Sequence, residues 1–261
     1  MVENVWLESS GTGADIVVLH GWGLNANIWT PILAPLQQLG RVTRIDLPGY
    51  GDSAWPASLP LTFDNLCALT QAALPPSCHL IGWSLGGLVA TQIALRAPQQ
   101  VQSLTTVASS PYFPSVAETQ WPGIEPKILN QFGKQLSKDF RRTVERFLAL
   151  QSLGSPHAKQ DVKVIKEWLF SKPMAAVEVL DAGLDMLASV DLRAQLAQLE
   201  MPFLRMYGRL DALVPVATAD KVQQLAPNST QVIAPRCSHA PFISDPEQFM
   251  QQWRAFFSAQ A

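Results

Sequence analysis

The sequence predicts an α/β fold with a mostly parallel central sheet, helices on both faces and an inserted helical cap. Three observations predict it. Short β-branched runs alternate with helical apolar spacing through the first 110 residues, which is typical of a parallel sheet covered on both faces. Between 111 and 190 only helical periodicity is present, and strand signals then return. The 261 residues are 48% hydrophobic and 15% charged, which suffices for a large core.

Each element is predicted from a local pattern of apolar residues and turns. Strands are predicted at 15–20, 41–46, 78–82, 101–108, 203–207 and 230–234, and helices at 27–39, 62–73, 85–96 and 246–257. About four more helices fill the insert. Because the strand signals resume after it, we expect a core formed by residues 1–110 and 191–261. Residues 111–190 are expected to form a cap, or lid, inserted in that core.

Composition and charge exclude several function classes. The net charge of −2 gives no general attraction to nucleic acid or to an anionic membrane. The amino terminus lacks the basic residues and the long apolar stretch of a signal peptide or anchor. Three widely spaced cysteines form neither a disulfide scaffold nor a zinc motif, so we expect reduced thiols in the cytoplasm. No metal ligand cluster or nucleotide-binding loop is present, and no cofactor is predicted.

The segment Gly82-Trp83-Ser84-Leu85-Gly86 lies between a predicted strand and a predicted helix. In this context the G-x-S-x-G pattern indicates a nucleophile elbow, the strained turn that exposes the serine of an α/β-hydrolase fold. The alternative is an ordinary turn in which Ser84 only caps the helix. We predict that Ser84 is the nucleophile.

A serine hydroxyl is a weak nucleophile at neutral pH and needs a base within hydrogen-bond reach. His239 follows the last predicted strand and falls at the same sheet edge as Ser84, so it is the predicted base. The other histidines have structural explanations: His20 would brace the loop that follows it, His79 lies at the wrong end of its strand, and His157 begins a solvated helix.

The base needs a carboxylate that fixes its tautomer. Asp211 follows a predicted strand and stands between Ser84 and His239, which gives the order serine, acid, histidine of this fold. Asp46 is the competing acid, but it precedes the serine and leads into a Pro-Gly turn, where we expect it to brace the loop. The predicted triad is therefore Ser84, Asp211 and His239.

Ester cleavage also creates an oxyanion that backbone N–H groups must stabilise. The fold supplies one N–H from the residue after the nucleophile and one from the loop after an earlier strand. Those positions are Leu85 and Trp22. Because the donors are backbone groups, the assignment rests on position in the chain rather than on residue type.

Six stretches extend the similarity beyond the elbow: His20–Ala26, Gly82–Ala94, Val107–Pro111, Trp121–Ile124, Arg142–Gln151 and His239–Ser244. Through them the chain resembles the pimeloyl-acyl-carrier-protein methyl ester carboxylesterases of biotin synthesis over nearly its whole length. The resemblance implies an enzyme that removes the methyl group masking the distal carboxylate of a pimeloyl chain on acyl carrier protein, releasing methanol. We also expect a monomer. It implies that Trp83 and Phe147 line the acyl channel. Phe147 also suits plain packing within a helix.

The insert is basic. From 127 to 172 there are ten basic and four acidic side chains. Arg142 and Arg146 share one helix face, and so do Lys159 and Lys163, where an acidic carrier protein or its phosphopantetheine would be drawn. Such charges more often mark a solvated face. The family leads us to expect arginines at 159 and 163, so a bidentate phosphate contact there is in doubt.

Other functions fit the same motifs. A general short-chain esterase or a C–C bond hydrolase would carry the same triad, and a ligand receptor on this fold can retain one without catalysis. Dehalogenases and typical epoxide hydrolases are disfavoured, because their nucleophile is an aspartate where this chain has Ser84.

Overall fold

The centre of the molecule is a seven-stranded sheet in the order β1-β3-β2-β4-β5-β6-β7. The computed structural model describes residues 5–136, 139–151 and 158–260, with the backbone only at 140, 147–151 and 158. The strands are β1 (Leu7–Ser10), β2 (Asp15–Leu19), β3 (Arg41–Ile45), β4 (Cys78–Trp83), β5 (Val101–Val107), β6 (Phe203–Gly208) and β7 (Thr230–Ala234). All neighbours are parallel except β1 and β3, which pair antiparallel.

Ten α-helices and two short 3₁₀ helices in the described residues surround this sheet. The α-helices are α1 (Thr30–Gln37), α2 (Phe63–Ala72), α3 (Leu85–Arg96), α4 (Pro126–Leu136), α5 (Phe140–Gln151), α6 (Ala158–Leu169), α7 (Val177–Ser189), α8 (Ala217–Leu225), α9 (Pro241–Ser244) and α10 (Pro246–Ser258), and the 3₁₀ helices are Ala26–Trp29 and Arg193–Gln198. Every residue of β4 and β6 is buried, which requires cover on both faces of the sheet. The predicted fold class is confirmed.

The order of the strands creates a crevice at the carboxyl edge of the sheet. From β2 the chain moves outward to β3 and then returns to β4 on the other side of β2. The loops after β2 and β4 therefore leave in opposite directions, and in α/β sheets such a switch point is where ligands bind. The predicted elbow and the predicted oxyanion loop both lie there.

The helices α4 to α7 all lie between β5 and β6 in the chain, within the stretch where only helical periodicity was found. Helix α4 packs against α5 and α7, α5 packs against α6, and α6 contacts the 3₁₀ helix Ala26–Trp29. Their buried residues are spaced at three and four, as at Leu129, Phe132 and Leu136 of α4.

Four elements lie outside the predicted ones. Strand β1 is short and exposed, and only its pairing with β3 defines it. Helix α8, the four-residue α9 and the 3₁₀ helix Arg193–Gln198 were also not predicted. The predicted helix 27–39 is a 3₁₀ turn followed by α1. Pro31 stands at the start of α1 and lacks the N–H that an earlier start would require.

Candidate active site

The backbone of Ser84 is held in a strained conformation between β4 and α3. Its φ of 54° and ψ of −119° fall in a region that costs a non-glycine residue on the order of 1–3 kcal/mol. The surrounding hydrogen bonds maintain it: Ser84 N–H donates to the carbonyl of Val107 at 3.0 Å, and Ser84 O accepts from the hydroxyl of Ser109 at 2.8 Å. This is the geometry of a nucleophile elbow.

Two glycines make the elbow sterically possible. A Cβ on Gly82 would lie 2.2 Å from the carbonyl oxygen of Gly86, and a Cβ on Gly86 would lie 2.4 Å from that of His20. Either contact is far below van der Waals separation, so no larger residue fits without a shift of the backbone. The close approach at Gly86 also presses the end of β2 and its following loop against the elbow.

Asp211 and His239 form a buried hydrogen-bonded pair at the same edge of the sheet. Asp211 follows β6 and His239 follows β7, and Nδ1 of His239 lies 2.7 Å from Oδ2 of Asp211. The other carboxylate oxygen accepts from the N–H groups of Leu213 and Val214 at 2.8 and 3.0 Å. Because an ionised carboxylate only accepts, Nδ1 carries the proton and Nε2 is left as a base.

The carbonyl and ring of His239 are held next to the elbow by Trp83. The indole Nε1 of Trp83 donates to the carbonyl of His239 at 2.8 Å, and the two ring centroids are 5.6 Å apart. Phe242 packs edge-on against the same indole at 5.4 Å. Ser84 is the next residue after Trp83. The buried Nε2 of His239 has no hydrogen-bond partner among the described residues, as expected of a base that awaits a substrate-bound serine.

His20 orients the loop that follows β2. Its Nδ1 donates to the carbonyl of Gly21 at 2.8 Å, and its Nε2 accepts the N–H of Leu47 at 2.9 Å. Complete burial lowers the pKa of His20, which keeps the ring neutral for both bonds. In a trans peptide the carbonyl of Gly21 and the N–H of Trp22 point in opposite directions. The His20 bond therefore sets the direction of the Trp22 N–H.

Gly21 and the first turn of α3 place both predicted oxyanion donors near the serine. A Cβ on Gly21 would lie 3.1 Å from Cβ of Ser84, so the loop passes directly beside the nucleophile. Leu85 is the first residue of α3, where N–H groups have no acceptor within the helix. The indole of Trp22 donates to the carbonyl of Leu180 in α7 at 2.8 Å, which anchors the loop.

The comparisons with known proteins agree with this geometry. The family model for the alpha/beta hydrolase fold matches residues 16–246. The pimeloyl-[acyl-carrier protein] methyl ester esterase of Aliivibrio fischeri (strain MJ11) is 47% identical over 261 residues, all of both chains. That of Pectobacterium carotovorum subsp. carotovorum (strain PC1) is 49% identical over 254 residues, 97% of this chain and 98% of the relative. The chain belongs to the pimeloyl-[acyl-carrier protein] methyl ester esterase family of α/β hydrolases.

The resemblance inferred from the sequence is thus confirmed. Among solved structures, an esterase from Exiguobacterium antarcticum is similar with a TM-score of 0.84 over 97% of this chain and 94% of that one, at 21% identity. At that identity the likeness concerns the fold, which is that of the α/β hydrolases.

Asp46, the alternative candidate for the triad acid in this esterase, instead holds the loop that follows β3. Its fully buried carboxylate accepts from the N–H groups of Ala26 and Asp52 at 2.7 and 2.9 Å and pairs with Lys172 at 2.7 Å. The role expected from the sequence is therefore what the structure displays. Lys172 itself, which lies just after α6, was not singled out by any sequence pattern.

The remaining histidines lie away from the triad or outside the described residues. His79, near the start of β4, lies 2.8 Å through Nδ1 from the hydroxyl of Ser103 and packs edge-on against Phe257. Burial lowers the pKa of His79. His157 lies outside the described residues.

The four predicted carrier contacts are all exposed, on two helices that pack together. Arg142 and Arg146 lie on α5, and Lys159 and Lys163 lie on α6. Arg146 donates to Oε1 of Gln135 at 2.9 Å, and Lys163 is 4.0 Å from a carboxylate oxygen of Glu167. The backbone of Phe147 belongs to α5, but its side chain lies outside the described part of the chain.

The described part of the chain has neither a metal-binding cluster nor a membrane-spanning helix. Within residues 5–136, 139–151 and 158–260 no group of three or more His, Cys, Asp or Glu is arranged to hold a metal ion. None of the helices in that part of the chain is long and apolar enough to cross a bilayer.

Proposed function

We propose that this chain is a serine carboxylesterase that hydrolyses the methyl ester of pimeloyl-[acyl-carrier protein] and releases methanol, a step of biotin synthesis. The observation that carries the proposal is the buried pair of Asp211 and His239, whose loop is bonded through its His239 carbonyl to Trp83, the residue before a serine in the elbow conformation. The substrate class is supported by the curated relatives, which carry that name and align with this chain from end to end.

The geometry supports a two-step mechanism. Nε2 of His239 takes the proton of the Ser84 hydroxyl as Oγ attacks the ester carbonyl carbon. The N–H groups of Trp22 and Leu85 stabilise the oxyanion of the tetrahedral intermediate. His239 then gives the proton to the methoxide, which leaves as methanol.

In the second step His239 takes a proton from water as its oxygen attacks the acyl group on Ser84. Collapse of the second tetrahedral intermediate returns the proton to Oγ and releases the free carboxylate. Asp211 stays ionised throughout and stabilises the imidazolium of each step.

The helices α4 to α7, within residues 111–190, form the cap in this proposal. Ser84 is 2% and His239 0% exposed, and α7 is bonded to the oxyanion loop through Trp22, so we place the path of the acyl chain under these helices. Trp83 and Phe147 line the acyl channel. Trp83 is completely buried, and its contact with His239 gives it a second, bracing role.

The exposed basic side chains of α5 and α6 contact the carrier. Arg142, Arg146, Lys159 and Lys163 lie on neighbouring helices of a strongly basic segment, which is complementary to an acidic partner. The lysines act as point charges rather than bidentate donors. We further infer a cytoplasmic location, since the three cysteines are free and buried. The monomeric state stays a prediction.

The nucleophile is tested by replacing Ser84 with Ala. We expect the variant to lose essentially all hydrolysis of both the carrier-linked methyl ester and p-nitrophenyl acetate, with unchanged thermal unfolding. Parental rates from Ser84→Ala would refute the mechanism and favour a ligand receptor on this fold.

The substrate is tested by charge reversal on the cap. Arg142→Glu with Arg146→Glu should raise KM for the carrier-linked ester at least about tenfold and leave p-nitrophenyl acetate unchanged. Lys221→Glu on α8 reverses one charge outside the basic segment and serves as the control for each of the single variants Arg142→Glu and Arg146→Glu. Equal effects of the cap variant on both substrates would favour a general short-chain esterase.

A further inference from the structure

Helix α6 contacts both loops on which the proposed chemistry depends, one near each of its ends. The loop after β2 carries Trp22 and continues to Asn25, and the loop after β7 carries His239 and continues into α9. A side chain of each segment is bonded to α6. These two bonds lie eight residues apart on the helix, about 12 Å along its axis.

At the carboxyl end of α6 the bond comes from Asn25, whose side chain is buried. Its Nδ2 donates to the carbonyls of Trp168 and Leu169 at 3.0 and 3.2 Å. The last carbonyls of a helix have no partner within the helix and carry partial negative charge, so they attract donors from outside it. The Trp168 carbonyl also accepts from the N–H and the hydroxyl of Ser171 at 3.2 and 2.6 Å. Oδ1 of Asn25 accepts the N–H of Asn27 at 3.0 Å and fixes the amide orientation.

In the first turn of α6 the bond involves Asp161, which is 7% exposed. Its Oδ2 accepts from the hydroxyl of Ser244 at 2.8 Å. Ser244 ends the four-residue helix α9, which begins two residues after His239. A carboxylate in the first turn is also favoured by the helix dipole. Movement of α6 at this end is therefore passed to the His239 loop over a few residues of helical backbone.

We propose that Asn25 and Asp161 are positioning residues, through which α6 holds the oxyanion loop and the base loop at a fixed separation around Ser84. The inference rests on the proposed serine hydrolase mechanism. Neither residue touches the reacting atoms. Their contribution is to the placement of the Trp22 N–H and of His239 Nε2, and a misplacement of about 1 Å at such groups costs on the order of 100-fold in rate.

The oxyanion side is tested with Asn25→Asp, which keeps the Oδ1 cap, removes both donations and turns a carboxylate toward the negative end of α6. Asn27→Asp is the matched control, since Nδ2 of Asn27 donates to Ser171 beyond the same helix. With p-nitrophenyl acetate we expect kcat of Asn25→Asp to fall about 10- to 100-fold, while its KM stays within about twofold of the parental value. We expect kcat of Asn27→Asp to be unchanged. Affinity for an aryl trifluoromethyl ketone, whose adduct places an oxyanion at the same donors, should fall by a similar factor.

The base side is tested with Asp161→Ala, for which we expect kcat to fall about tenfold. Asp161→Asn keeps an oxygen that accepts from Ser244 and should recover the parental kcat to within about threefold. Glu167→Ala changes an exposed acid of the same helix and should have no effect on this substrate. All rates are divided by the concentration of folded protein, which is measured by circular dichroism. If Asn25→Asp does not fold, Asn25→Ser is used in its place.

The outcomes are decisive. Loss of kcat at both ends of α6, with KM and the controls unchanged, supports the proposal. A kcat within twofold of the parent for either Asn25→Asp or Asp161→Ala, in a protein whose Ser84→Ala variant is inactive, overturns it and leaves the proposed function standing. Activity that persists in Ser84→Ala overturns the proposed function instead.

Discussion

Replacing Asp211 with Asn tests the tautomer on which the mechanism depends. In the parent, Oδ2 faces Nδ1 of His239 and Oδ1 accepts from the N–H groups of Leu213 and Val214. The N–H groups of Leu213 and Val214 are donors and cannot bond to the NH₂ group of the new Asn side chain. The Asn oxygen must therefore accept from these two groups, and Nδ2 must face His239. The imidazole then accepts at Nδ1 and carries its proton on Nε2, where it no longer acts as a base toward Ser84.

The structure therefore predicts nearly complete loss of catalysis with little loss of fold. An isosteric change of this kind is worth about 10⁴ in kcat, or about 5.4 kcal/mol at about 1.36 kcal/mol per tenfold. The assay is steady-state hydrolysis of p-nitrophenyl acetate at pH 7.5, with thermal unfolding as the control for structure. A kcat within tenfold of the parent would refute the assignment of Asp211 as the group that orients His239.

Three further predictions concern stability and reactivity. Lys172→Met leaves the buried carboxylate of Asp46 without its cation, and should cost about 3 kcal/mol and about 5 °C in Tm by calorimetry; an unchanged Tm would contradict it. Burial raises the pKa of Cys78 to about 12, so native protein should react slowly with Ellman's reagent at pH 8 and fully in urea; rapid native labelling would contradict it. Because burial lowers the pKa of His20 from 6.5, the unfolded chain binds more protons, and the free energy of unfolding should fall as pH drops below 6.5. His20→Gln should reduce that slope in urea titrations at pH 8 and 5.5, and equal slopes would count against it.

The parallel part of the sheet was predictable because buried strands carry a strong local signal. β4 and β5 consist mainly of apolar or β-branched residues. β1 has no such signal, since three of its four residues are polar and its pairing with β3 is a tertiary event. Helix α8 has its buried residues confined to Thr218, Ala219 and Val222, which leaves too little apolar periodicity to distinguish it from a loop.

In the site, too, some features were predictable from the sequence and others were not. Chain order and the ends of strands sufficed to select Asp211 and His239, because the sheet carries all strand ends to one edge. The bonds that hold them are not local. The indole of Trp83 reaches a carbonyl 156 positions away, and Asn25 reaches across 143 positions to α6. Asn25 lies in the stretch His20–Ala26 that carries the resemblance and caps the 3₁₀ helix Ala26–Trp29. Neither signal says what the rest of its amide binds.

The long span of the Trp83 to His239 bond has a consequence for how the chain acquires its structure. Loop closure over so many residues is entropically costly, and contacts of this kind form late in folding. β4 can pair with β2 once residue 83 has been made, whereas His239 follows Trp83 by 156 positions. The residues that hold the elbow, Val107 and Ser109, therefore precede the base in synthesis by more than a hundred positions, and the bond from Trp83 to His239 is among the last that the sheet edge can acquire.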